Sequence, residues 1–175
     1  DFQAGMAREA EGRFAEALGH YQTAAKLDEH YAELQFRLGR CALALGQTAE
    51  ARRHFQAAKD QDALQFRTDT RLNELIRAAA ANSASGVRLL DAELLFAGQS
   101  ADGIPGGEWF WEHVHLTFAG NYLLAKAAAD LAAEIMAGGE RSGATAATNA
   151  IPWLSQAECE DRKSTRLNSS HDQIS

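Results

Sequence analysis

The chain has 175 residues, of which 46% are hydrophobic and 23% charged, with a formal charge of −7. This leaves room for one medium domain or two small ones with a real core, and it argues against nucleic acid as a partner, because affinity for phosphate comes from clustered Lys and Arg. Two cysteines, Cys41 and Cys159, make no disulfide framework, and no apolar run reaches the roughly 18 residues of a membrane span. Nothing in the residues assigns a compartment.

Residues Asp1–Asp62 repeat with a period of 34, pairing Gly5 with Gly39, Gly12 with Gly46, Glu16 with Glu50, Ala17 with Ala51, His20 with His54, Tyr21 with Phe55, Ala24 with Ala58 and Asp28 with Asp62. Ala17, Tyr21 and Ala24 stand at i, i+4 and i+7, on one helical face. Two small residues there admit a neighbouring helix closely while the aromatic fills the gap beside it. Gly12 and Gly46 break the chain between paired helices. The spacing predicts helices at Phe2–Glu11, Phe14–Leu27, Tyr31–Leu45 and Thr48–Lys59. His20 and His54, recurring one repeat apart, are expected to face solvent.

This pattern resembles tetratricopeptide repeats (TPR). The resemblance implies a concave face built from the first helix of each pair, binding an extended peptide or protein partner, with Phe36, Arg40 and Leu43 on it. No Lys/Asn set like that family's clamp for a C-terminal carboxylate is present. Two repeats fall short of the three or more that such arrays generally need. A further helix, Thr68–Ala81, offers Leu72, Leu75, Ile76 and Ala79 as an apolar stripe, expected to cap the array or to pack on a strand at Val87–Leu90.

Beyond it come a Gly/Pro-rich loop, Ser100–Gly107, the aromatic run Trp109-Phe110-Trp111, and the stretch EHVHLTFAGNY at Glu112–Tyr122. Thr117 is placed to cap a helix running to about Ala137. Glu112 and His115 bring an acid beside an imidazole. A carboxylate on one ring nitrogen fixes the tautomer and leaves the other to take a proton from a nucleophile. Glu108 is an alternative acid. His113, His115 and Glu112 all have metal-ligand chemistry, but a His-x-His pair needs further ligands and none stands out, so no metal is expected. Trp109, Phe110 and Trp111 are expected to pack the loop onto the core; walling a pocket, with His113 lining it, is the other role open to Trp109 and Trp111. Gly103, Gly106 and Gly107 read as a mobile loop rather than a phosphate cradle.

The stretch from Gly86 to Tyr122 resembles the end of SGNH (GDSL-type) hydrolases, where a last buried strand leads to an Asp-x-x-His loop and the C-terminal helix of an α/β fold. Gly86-Val87-Arg88-Leu89-Leu90-Asp91 is similar to that strand, followed by a short amphipathic piece, Ala92–Ala97. The run Leu64–Arg77, together with this strand and His loop, resembles bacterial SGNH-like proteins with TPR repeats inserted in the hydrolase domain. The resemblance implies that His115 is the catalytic base of a serine esterase or acyl-transfer site, that Glu112, where the family has Asp, orients it, and that neither metal nor cofactor is needed. No Gly-Asp-Ser block occurs, so the serine of the triad is expected upstream, with this chain the C-terminal part of a longer protein whose substrate is an ester or acylated compound.

Gly138 to about Ala150 turns to Gly, Ala, Thr, Ser and Asn without periodicity, a composition that buries too little to offset its ordering entropy. Asp161–Ser175 resembles translated sequencing adapter. The expected organisation is therefore TPR repeats at 1–62, the C-terminal part of an SGNH-like domain at 63–137, a flexible linker at 138–160 and an artefact at 161–175. The fold class is mainly α: two TPR hairpins, then a partial α/β, flavodoxin-like segment with one buried strand and a C-terminal helix. The expected function is a fragment of an SGNH-type esterase; the alternative is a TPR protein-interaction scaffold whose hydrolase-like segment is not catalytic.

Overall fold

A computed structural model describes residues 1–83, 86–137 and 153–162. The chain divides into two compact units, Asp1–Val87 with Ser100–Ile104, and Arg88–Gln99 with Pro105–Ser175.

The first unit holds α1 (Phe2–Ala10), α2 (Phe14–Ala25), α3 (Ala32–Ala44), α4 (Thr48–Asp60) and α5 (Thr70–Ala81). The first four start and stop within about two residues of the boundaries that the repeat predicts. Both hairpin turns follow the same backbone device. Gly12 and Gly46 sit at φ 73° and 72°, where only glycine is unstrained, and the next residue's N–H reaches back into the helix: Arg13 N to Arg8 O at 2.9 Å, Gln47 N to Ala42 O at 2.8 Å. The repeated aspartates also recur in role. Asp28 Oδ1 accepts from His30 N and Asp62 Oδ1 from Leu64 N, turning the chain after each pair.

Consecutive helices α1 to α4 pack in chain order. The core they enclose is Ala17, Tyr21, Leu34, Leu38 and Cys41, with Phe2, Met6, Phe14 and Leu18 around it. Burying each of the two leucines contributes about 1.5–3 kcal/mol before chain entropy is counted. The small residues work as the spacing requires: Ala17 and Ala51 are fully buried. A buried amide ties the connection between the repeats to α4. Gln35 donates through Nε2 to the Glu29 carbonyl at 2.6 Å, and its Oε1 lies 2.7 Å from His54 Nδ1. His54 is therefore not the solvent-facing residue expected from the sequence. It stands at i+3 from Ala51 and i−4 from Ala58, on the face those residues turn inward, and burial, helped by the Arg53 charge, holds its imidazole below the ordinary value.

Asp69 caps α5, accepting from Leu72 N at 2.7 Å, and Asp60 Oδ1 takes Thr70 N at 2.9 Å. The apolar stripe behaves differently from the expectation. Leu72, Leu75 and Ile76 are exposed, and the strand they were to cover is absent. Residues 86–90 run without strand pairing, with Val87 and Leu89 exposed, and the described residues hold one isolated antiparallel bridge instead of a sheet. A strand exists only through the ladder a neighbour supplies, and among the described residues nothing pairs with this one. Asp91, read as the strand's end, instead opens a helix, its carboxylate accepting from Leu94 N at 3.1 Å. The partial α/β segment of the sequence reading is thus corrected to a helical one.

The second unit contains α6 (Ala92–Gln99) and α7 (Phe118–Met136). Phe96 of α6 is buried, with the rings of Trp109 and Phe110 at 5.8 and 5.3 Å from its own. Residues 153 and 154 make contacts with α7. Trp153 Nε1 donates to Asp130 at 2.7 Å, and Tyr122 Oη donates to the Leu154 carbonyl at 2.8 Å. A helical stretch at 156–162 begins with a capping box: Ser155 Oγ accepts Glu158 N while Glu158 Oε2 accepts Ser155 N. The rest of the linker, 138–152, and residues 163–175 of the adapter-like tail lie outside the described residues. No described helix is long and apolar enough to cross a membrane.

Candidate functional site

The Glu112 loop is a short antiparallel turn. Trp111 N donates to the His115 carbonyl and Thr117 N to the Trp109 carbonyl, each at 2.8 Å, around the bridge of Phe110 with Leu116. Its base is seated on α7. Thr117 Oγ1 accepts Gly120 N at 3.1 Å as the helix cap and donates to the Glu108 carbonyl at 2.9 Å. Gly120 allows the approach, since a Cβ there would stand 2.4 Å from the Trp109 carbonyl oxygen.

This turn brings together the residues that the sequence singled out. Glu112 Oε1 accepts the His115 backbone N–H at 3.0 Å and also meets His115 Nδ1 in a short contact. Its other oxygen lies 2.6 Å from His113 Nδ1. One carboxylate thus holds two imidazoles. Desolvation opposes the charge on Glu112, but the side-chain and backbone hydrogen bonds from His115 and the charges of both histidines outweigh it, and the carboxyl is held below its usual range. A carboxylate can only accept, so Nδ1 of His115 carries a proton toward it, and in the neutral ring the free lone pair is on Nε2. The ring is 80% exposed, so that nitrogen is open to an incoming group. Glu108, the alternative acid, supplies the loop through its backbone carbonyl.

The tryptophans divide. Trp109 packs on Phe96, as a loop anchor does, while Trp111 is 77% exposed. Three or more His, Cys, Asp or Glu side chains do not converge as a metal set anywhere among the described residues.

A second candidate lies on α3. Glu9 of α1 is buried, its Oε2 accepting the Tyr21 hydroxyl at 2.6 Å and Arg37 at 3.0 Å. Arg37 is engaged with Glu33 as well, at 2.7 Å, and stands over the Phe2 ring. Arg40 brings Nε to 3.2 Å from the other oxygen of Glu9. One turn to either side of Arg40, Phe36 and Leu43 remain 48% and 38% exposed; the Phe36 ring stands 5.5 Å from that of Phe55. The sequence had named Phe36, Arg40 and Leu43 as a face. It missed the buried carboxylate beneath them, whose only signal was an acidic residue one turn from Gly5 on the inward side of α1.

No curated protein and no solved structure matches the chain. Residues 9–68 match the tetratricopeptide repeat family, over the helices whose 34-residue spacing carries that resemblance.

Proposed function

We propose that the chain is a protein-interaction scaffold that takes a peptide segment of its partner on the face of α3. The observation that carries this is the exposure of Phe36 and Leu43 beside Arg40, inside a segment matching a repeat family built to present such faces. Apolar side chains that the repeat packing leaves uncovered are the usual anchors of an interface. The test is selection from a random displayed-peptide library on the full chain. Enrichment that disappears on Phe36→Ala combined with Leu43→Ala supports the scaffold; no enrichment, or enrichment indifferent to both changes, overturns it.

A second reading is supported by the Glu112–His115 pairing. In a longer parent protein, a serine from outside this chain attacks an ester carbonyl. His115 Nε2 takes its proton and returns it to the leaving alcohol, while Glu112 stabilises the imidazolium. No metal or cofactor enters the scheme. The unpaired 86–90 segment weighs against it for this chain by itself. Ester hydrolysis by the parent is expected to fall about 10³-fold or more on His115→Ala; unchanged turnover removes the imidazole from the chemistry.

A further inference from the structure

We infer that the α3 face recognises an acidic side chain, Asp or Glu, set within an extended peptide and flanked by apolar residues. This rests on the interaction-scaffold reading above and names its ligand. The reasoning begins at Glu9. Its carboxylate is buried and pinned through Oε2 by Tyr21 and Arg37, while Oε1 accepts no hydrogen bond and has Arg40 Nε as its near neighbour at 3.2 Å. Arg40 is held there at ion-pair distance, without a hydrogen bond. A guanidinium is a rigid planar fork, so with no hydrogen bond spent on Glu9 the end-on pair of N–H groups, one from each terminal nitrogen, stays parallel and unspent.

Those terminal nitrogens have no partner among the described residues, and the side chain is 52% exposed. Arg37 is different, since its nitrogens are already spread over Glu9 and Glu33. Arg40 is therefore the guanidinium with two parallel donors to offer, the geometry that accepts a carboxylate in two hydrogen bonds at once.

The apolar neighbours decide which carboxylate it is. Phe36 lies four residues before Arg40 and Leu43 three after, on the same helical face, about 10 Å apart along the axis. An extended peptide covers that span with about three residues. Apolar contacts on both sides of the guanidinium require chain on both sides of the acid, which a C-terminal carboxylate does not have. The ligand is an internal Asp or Glu with an apolar residue within one or two positions in each direction.

The displayed-peptide selection tests this when repeated on Arg40→Gln, with the two proteins compared for thermal stability to confirm that an exposed substitution leaves the fold alone. Peptides recovered on the native chain are expected to carry the flanked acid. A synthetic copy is expected to bind Arg40→Gln at least tenfold more weakly and Arg40→Lys only partly better, and changing its acid to the amide should cost as much as losing Arg40. Recovered peptides without an acid, or equal binding to Arg40→Gln, overturn the acidic specificity and leave the scaffold standing. Acids found only at the peptide C-terminus also overturn it. A library that yields nothing on the native chain overturns both.

Discussion

A methyl group at Gly39 would stand 2.8 Å from the ring carbons of Phe55, and one repeat earlier a methyl at Gly5 would stand 2.5 Å from Tyr21 Cε1. Each glycine is a seat for an aromatic of the following helix, which is why small residue and ring recur together at the same spacing. Gly39→Ala is expected to destabilise the first unit by about 1–3 kcal/mol through overpacking. Gly19, in the middle of α2 with nothing within 4 Å of where a methyl would sit, is the control; Gly19→Ala should stabilise by about 0.5–1 kcal/mol. Urea unfolding separates the two. Equal shifts for both changes would mean that the ring does not rest on Gly39.

Tyr21 links stability to alkaline pH. Burial first, and then the hydrogen bond to Glu9, push its phenol up to about 12, with Arg37 acting in the opposite direction. The folded state holds this proton more tightly than the unfolded chain, whose phenol titrates near 10. The contribution is therefore complete below pH 10 and is lost as pH rises through about 12, worth about 2–3 kcal/mol over that window. Tyr21→Phe should be less stable at pH 8, having lost a partner of a buried carboxylate, yet its stability should not decay in the same way as pH rises. The difference between the two unfolding curves from pH 9 upward isolates the phenol from Cys41, whose buried thiol is also raised, to about 11. A constant difference across the range would contradict the assignment.

The seat of the Glu112 loop predicts an order of severity. Thr117→Ala removes the cap of α7 and is expected to cost about 0.5–2 kcal/mol. Gly120→Ala should cost more, because the methyl meets the Trp109 carbonyl at 2.4 Å and backbone on both sides must move. Near-ultraviolet circular dichroism of the tryptophans should change with Gly120→Ala and little with Thr117→Ala. The reverse order would place the loop elsewhere on the helix.

Glu112 should titrate below an ordinary carboxyl. Its stabilising bonds to His113 and His115 are present above about pH 4.5 and are lost as pH falls through its lower folded value. Carbon-13 NMR of the side-chain carboxyl is the measurement. In His115→Ala the midpoint is expected to move back toward 4.5; a midpoint unmoved by that change would show that His115 contributes nothing to the carboxylate.

The two repeats were legible because their information is periodic: Gly5, Gly12 and Ala17 each recur 34 residues on, Tyr21 returns there as Phe55, and helix boundaries follow from the glycines. Thr117 was legible for a local reason, since a cap needs only its own helix. The Glu112–His115 contact was legible too, being made within four residues. The strand at 86–91 failed because pairing is not local, and Asp91, counted as its last residue, is a helix cap. His54 was misplaced although its spacing from Ala51 and Ala58 put it inward; identity outweighed position. The Ser155–Glu158 capping box was written in the sequence and lost in the Gly/Ala-rich composition ahead of it.

Gln35 carries one more consequence. Its single amide grips the connection ahead of its own helix with one end and α4 with the other, so the seam between the repeats and the second hairpin share a fastening. Pulling α4 away strips the Oε1 end of its partner and loosens the side chain whose other end holds the α2–α3 crossover. That shared fastening favours opening of the connection and the second hairpin together over peeling helix by helix, and a partner that grips α3 steadies both sides of it.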